Sequence, residues 1–160
     1  MGDFHQNGVI TTLHNLSNRS LEEMETELLA FSKSRPMALI LPSLYSELEG
    51  DALPAILEHL KGAAYLGQIV IGLDRANQQQ YRDALGFFSR LPQHHRVLWN
   101  DGPRLKALDA KLQALGLAPK ELGKGRNVWY CMGYTLASGK AESVALHDCD
   151  ITTYDRELLA

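Results

Sequence analysis

Apolar and polar positions follow two rhythms along this chain. Four short runs are largely apolar: Met37–Leu41, Gln68–Leu73, Arg96–Trp99 and Ser143–His147. Each has the length of a strand. Each stops at a polar or breaking group: Pro42, Asp74, the turn Asn100-Asp101-Gly102-Pro103, and Asp148. Between the runs, apolar residues recur at helical spacing. Leu21, Met24, Leu28 and Leu29 predict a helix capped by Ser20 or Asn18. Leu53, Ile56, Leu57 and Leu60 predict a second, and Tyr81, Leu85 and Phe88 a third. Leu105, Leu108, Leu112 and Leu115 predict a fourth, stopped at Gly116. A last helix is expected over Arg126–Ala137, with Val128, Met132 and Leu136 on one face.

Strands that alternate with helices build βαβ units and a mostly parallel sheet. Runs this apolar are expected to be buried on both faces. The class is therefore α/β, a Rossmann-like arrangement of helices on a sheet. No repeat, low-complexity tract or linker divides the chain, so residues 1–160 are expected to form one domain. Residues 1–18 lack a clear period and are expected to form an N-terminal arm.

Composition narrows the function classes. The chain has 160 residues, 45% hydrophobic, enough for a substantial core. With 16 basic and 19 acidic residues the formal charge is −3, which argues against a nucleic-acid surface. The apolar runs are far shorter than the roughly 20 residues a membrane helix needs, and the first residues do not read as a signal peptide. The two cysteines, Cys131 and Cys149, form no paired motif, which suits a reducing cytoplasm.

In an open α/β sheet, ligands bind outside the carboxyl ends of the strands. Here those ends carry Pro42-Ser43-Leu44-Tyr45-Ser46-Glu47, Asp74-Arg75, Asn100-Asp101-Gly102 and Asp148-Cys149-Asp150. In extended chain, Asp148 and Asp150 point to one side, where two carboxylates can hold a hard cation such as Mg2+ or Mn2+. Such an ion bridges a diphosphate well. Gly123-Lys124-Gly125 precedes the last helix, and a helix N-terminus with a lysine favours an anion. The loop is not a Walker A motif, because Ala118 and Gly125 stand where Gly and Ser or Thr are required. No GxGxxG follows the first strand, and His94-His95 lacks zinc-site spacing. Trp99 and Trp129 read as core or half-buried aromatics.

Taken together, Pro-Ser-Leu-Tyr-Ser-Glu, Gly-Leu-Asp, Gly-Lys-Gly and Asp-Cys-Asp, in this order, resemble the GT-A glycosyltransferases. Within them the pattern is similar to the retaining glucosyl-3-phosphoglycerate synthases and their mannosyl relatives, over about residues 38–151. The resemblance implies a GT-A three-layer sandwich that binds a nucleoside diphosphate sugar. It implies nucleotide-sugar contacts from Pro42, Leu44, Glu47, Asp74, Gly123, Lys124 and Asp148. It assigns the metal to Asp150 and Asp148, and catalytic roles to Asp148, Asp150 and Lys124. The reaction implied is transfer of glucose to 3-phosphoglycerate with retention, assisted by Mg2+ or Mn2+. Tyr45-Ser46-Glu47 replaces the family's Asn-Glu-Glu, and Arg75-Ala76-Asn77 replaces a stretch of glycine and serine. The donor base therefore stays open.

The chain ends ten residues beyond Asp150. The resemblance thus also implies a truncated chain without its acceptor-binding half, with apolar surface left exposed and self-association, as a homodimer, as a consequence. Two other readings compete. Asp148-Cys149-Asp150-Ile151-Thr152 matches the DxDxT signature of haloacid-dehalogenase-like phosphatases, with Asp148 as nucleophile and Asp150 as acid. A non-catalytic nucleotide-binding module would show the same polar strand ends.

Overall fold

The computed structural model describes residues 19–160. The expected arm over residues 1–18, and Asn18 as a cap, lie outside them. Helix α1 (Leu21–Ser32) starts at Ser20. Ser20 Oγ accepts from Glu23 N at 3.2 Å while Glu23 Oε2 accepts from Ser20 N at 3.0 Å. This reciprocal cap satisfies two N–H groups that the first turn leaves free. Strand β1 (Met37–Leu44), a short 3-10 turn (Tyr45–Glu49), helix α2 (Ala52–Leu60) and strand β2 (Leu66–Asp74) follow. Helix α3 (Gln78–Phe88) is capped in the same way by Asn77 and Gln80. Then come β3 (His95–Trp99), α4 (Pro103–Ala114), α5 (Lys124–Ser138), β4 (Ser143–Leu146) and a last 3-10 turn (Arg156–Leu158).

The four strands form one sheet in the order β3-β2-β1-β4, and every pair is parallel. Residues alternate faces along each strand. Leu39, Leu41, Ile69 and Ile71 enter a large core with Leu53, Ile56, Leu57 and Leu60 of α2 and Ala84 and Phe88 of α3. Ile40 and Val70 enter a smaller one with Cys131 of α5. Helices on both faces give the three-layer α/β sandwich that the strand-helix alternation predicts.

Several local expectations change. Pro42 does not end β1. The strand runs on to Leu44, with Pro42 opposite Gly72. Ile40 O accepts from His147 N at 3.1 Å, so even-numbered residues of β1 turn their backbone toward β4. That strand pairs no further than Ile40, and the N–H that Pro42 lacks would have no ladder partner there.

Helix α5 buries Asn127, Tyr130, Cys131 and Thr135 rather than the expected stripe, and Leu136 is 80% exposed. The reason is close approach. A Cβ on Gly72 would stand 1.7 Å from Asn127 Oδ1. The bare backbone lets Asn127 Nδ2 donate to Gly72 O at 2.8 Å instead. Helix α4 buries no residue despite its leucines. Strand β4, expected to be buried, is an edge strand with Val144 and Leu146 exposed.

Candidate functional site

The order β3-β2-β1-β4 means that the chain builds outward from β1 in one direction and then returns to its other side. Between β1 and β4 lies a switch point, where the loops after two neighbouring strands diverge and leave a crevice. A cleft of about 660 Å3 opens at these strand ends. Pro42, Leu44, Glu47, Asp74, Gly123, Lys124, Asp148 and Asp150, which sequence reasoning singles out, all line it.

Each is placed by its own element. The end of β1 presents buried Pro42 and Ser43 and then turns. Glu47, in the following 3-10 turn, folds back so that its Oε2 accepts from Leu44 N at 3.0 Å. Burial pushes the Glu47 carboxyl up; the Leu44 N–H and Ser43 oppose the shift, and the charges of Asp150 and Asp148 add to it.

Asp74 closes β2. Burial raises its pKa, a hydrogen bond from Asn100 lowers it, Asp101 raises it, and Arg126 and Arg75 lower it. The Asn100 Nδ2 to Asp74 Oδ1 distance is 2.8 Å. The next residue, Arg75, takes φ 54°, a left-handed conformation that is uncommon outside glycine. The β3 end fixes that turn. Trp99 Nε1 donates to Ala76 O at 2.7 Å, and Asp101 Oδ2 accepts from Ala76 N at 3.0 Å. Trp99 itself is half-buried and stacked on Tyr81.

Gly123, at the entry of α5, has φ 140°, in the region that favours glycine. Lys124 follows as the first residue of the helix, and its ammonium pairs with Asp148. Both groups are about half exposed, so water screens the pair.

Asp148-Cys149-Asp150 is not the extended segment expected. A turn follows β4 there, burying Cys149 and leaving both aspartates on the cleft. Burial raises the Cys149 thiol well above its ordinary range, so this side chain packs rather than attacks. Next to the turn, His147 Nδ1 and the Tyr154 hydroxyl are hydrogen-bonded at 3.0 Å.

Among the described residues no three His, Cys, Asp or Glu side chains gather as a metal cage. The donor set is instead open, with two carboxylates on one turn. That fits a hard cation which keeps several waters and takes its other oxygens from a phosphate ligand. The lining carries six carboxylates against four cationic side chains. An anionic ligand entering it needs a compensating positive charge.

Sequence reasoning missed part of this wall. Asp109 of α4, and Arg126, Asn127 and Tyr130 of α5, also line the cleft. For Asn127 alone a signal was legible, a face of α5, Asn127, Cys131 and Thr135 at four-residue steps, that carries no charge and little bulk. His94 is exposed, as expected of a surface residue. No helix among the described residues is long and apolar enough to cross a membrane.

No family model matches the chain. Two curated relatives do. One, from Persephonella marina, is named glucosyl-3-phosphoglycerate synthase and is 50% identical over 160 residues, covering 100% of this chain and 40% of that protein. Another of the same name, from Methanococcoides burtonii, is 36% identical over 160 residues, covering 99% of this chain and 38% of that protein. The chain thus spans about two fifths of the length of these relatives. Over its whole length it is homologous to the glucosyl-3-phosphoglycerate synthases, the family its strand-end residues resemble.

Proposed function

We propose that the chain forms the nucleotide-sugar-binding part of a metal-dependent retaining glycosyltransferase, which moves glucose from a nucleoside diphosphate sugar to 3-phosphoglycerate. The observation that carries this is the cleft at the β1/β4 switch point, lined by all eight residues named from the sequence. The names of the two relatives supply glucose transfer and the acceptor.

In this reading Pro42, Leu44 and Glu47 receive the nucleoside and its ribose, and Asp74 faces the base. Lys124 and the N-terminal end of α5 meet the diphosphate. Asp150, with Asp148, holds Mg2+ or Mn2+. When bound there, such a cation would supply electrostatic neutralisation of the departing diphosphate. Asp148 serves that ion and the sugar or ribose, and Lys124 changes partner from Asp148 to phosphate oxygen. No side chain of the described residues is assigned as a nucleophile, and the retaining transfer relies in this reading on positioning and electrostatics.

The reading carries a cytoplasmic location, supported by two buried cysteines that are free thiols. It also carries self-association as a homodimer, supported by exposed apolar side chains such as Leu136 and Leu146. No observation favours the phosphatase alternative on Asp148 and Asp150.

Calorimetric titration with UDP-glucose and GDP-glucose tests the reading, with Mg2+ or Mn2+, then with EDTA, alongside Asp150→Ala. The expected outcome is binding of one donor that needs the metal and is lost in the variant, which also names the base. Failure of the folded chain to bind either donor sinks it.

A further inference from the structure

Helix α4 forms part of the cleft wall through Leu105, Lys106 and Asp109, yet it buries no residue. Among the described residues its polar tie to α5 is one side chain. Asp109 accepts a hydrogen bond from the Tyr130 hydroxyl and forms an ion pair with Arg126. Tyr130 is 5% exposed, and the Arg126 and Asp109 side chains are 17% and 19% exposed. The guanidinium carbon of Arg126 also lies 5.8 Å from the centre of the Tyr130 ring.

Asp109 thus fixes one edge of the guanidinium, and Tyr130 supports it from the side of its ring. An arginine offers five N–H donors and no acceptor. Those that neither Asp109 nor Tyr130 engages remain for the cleft, where the charge of Arg126 is felt at Asp74. A long side chain normally loses much rotamer freedom when it grips a ligand. Here that freedom is already restricted by the fold.

We propose that Arg126 is a nucleotide-binding residue, donating to an acceptor oxygen of the nucleoside diphosphate, and that Asp109 is the residue that positions it. The inference rests on the nucleotide-sugar reading of the cleft. It differs from the role given to Lys124, a half-exposed cation paired with Asp148. Arg126 is preset, and its presetting comes from a different helix.

The test is calorimetric binding of UDP and of GDP, in Mg2+, to the 160-residue chain and to Arg126→Met, Asp109→Asn and the double variant, with thermal melts of each. Arg126→Met should weaken binding of the preferred nucleotide roughly tenfold or more, the scale of one hydrogen bond from a charged donor. Asp109→Asn should weaken it as well. In the double variant the asparagine should cost nothing further, because Asp109 acts through Arg126.

Undiminished binding by Arg126→Met overturns the inference. So does an Asp109→Asn penalty that persists in the Arg126→Met background, which would make Asp109 a mere support for α4. Absence of binding by the unmodified chain overturns the nucleotide-site reading together with this one. Binding by the unmodified chain that is indifferent to Arg126 overturns this one alone.

Discussion

Asp74 is held by the fold against its own ionisation. Burial raises its carboxyl above the ordinary range, and Arg126 and Arg75 counter the shift only in part. A carboxyl with a raised folded pKa binds more protons in the folded state than in the unfolded state across the window between the two values. Stability therefore falls as pH rises from the unfolded value through the folded one, and the whole penalty is present above the folded value. Asp74→Asn keeps an acceptor for Asn100 and removes the charge. It should melt at a higher temperature than the parent at pH 7, and the gap should close as acid neutralises Asp74. Melts followed by circular dichroism across pH check this, and a variant no more stable at pH 7 would show that the arginines already offset the burial. Such residues were legible in the sequence because they sit at strand ends, where a charged side chain after an apolar run has few other uses. Asp109 was not, because nothing in a leucine-rich helix tells which polar position meets Arg126 seventeen residues later.

At the scale of elements, the contact of α5 with β2 depends on an absent side chain. Gly72 sits where a Cβ would meet Asn127 Oδ1 at 1.7 Å and Cys131 Sγ at 2.6 Å. Gly72→Ala should therefore cost roughly 1–3 kcal/mol by overpacking, and more if the Asn127 hydrogen bond to Gly72 O is lost. Urea unfolding measures it, and a neutral result would mean that α5 can ride outward at no expense. The same contact explains why the apolar stripe Val128, Met132 and Leu136 did not mark the buried face. Hydrophobic periodicity locates a face when leucines do the packing. In α5 small and polar residues do it, because the helix lies close to bare backbone. For α2 the periodicity and the buried face coincide, since Leu53, Ile56, Leu57 and Leu60 are all fully buried.

For the whole molecule, the two sides of the sheet are unequal. The side of α2 and α3 holds the large core, whereas the buried apolar cluster on the side of α5 is small, Ile40, Val70 and Cys131, with the polar Asn127 and Thr135 buried beside it. Stability should be concentrated accordingly. Leu57→Ala should cost about 2–5 kcal/mol, the range for a buried leucine, while Leu136→Ala should change stability by no more than about 0.5 kcal/mol at dilutions where the chain is monomeric. Comparison of their urea midpoints tests this, and a large effect at Leu136 at higher concentration would reveal that a partner covers it in solution.

The class of the fold and most of the candidate chemistry are legible from the order of residues alone. Strands are marked by short apolar runs, helices by their spacing, Glu47, Asp74, Asp148 and Asp150 by position at or near the ends of strands, and Lys124 by the two glycines around it at a helix start. These are local properties, readable wherever neighbours in the chain set the conformation. Tertiary structure alone decided the order β3-β2-β1-β4, and with it the switch point that turns separate strand ends into one cleft. It also decided that Pro42 could stay within a strand, that β4 would be an exposed edge, and that Asp109 and Arg126 would meet. Each of these depends on which elements become neighbours in space, a choice set by packing between distant segments.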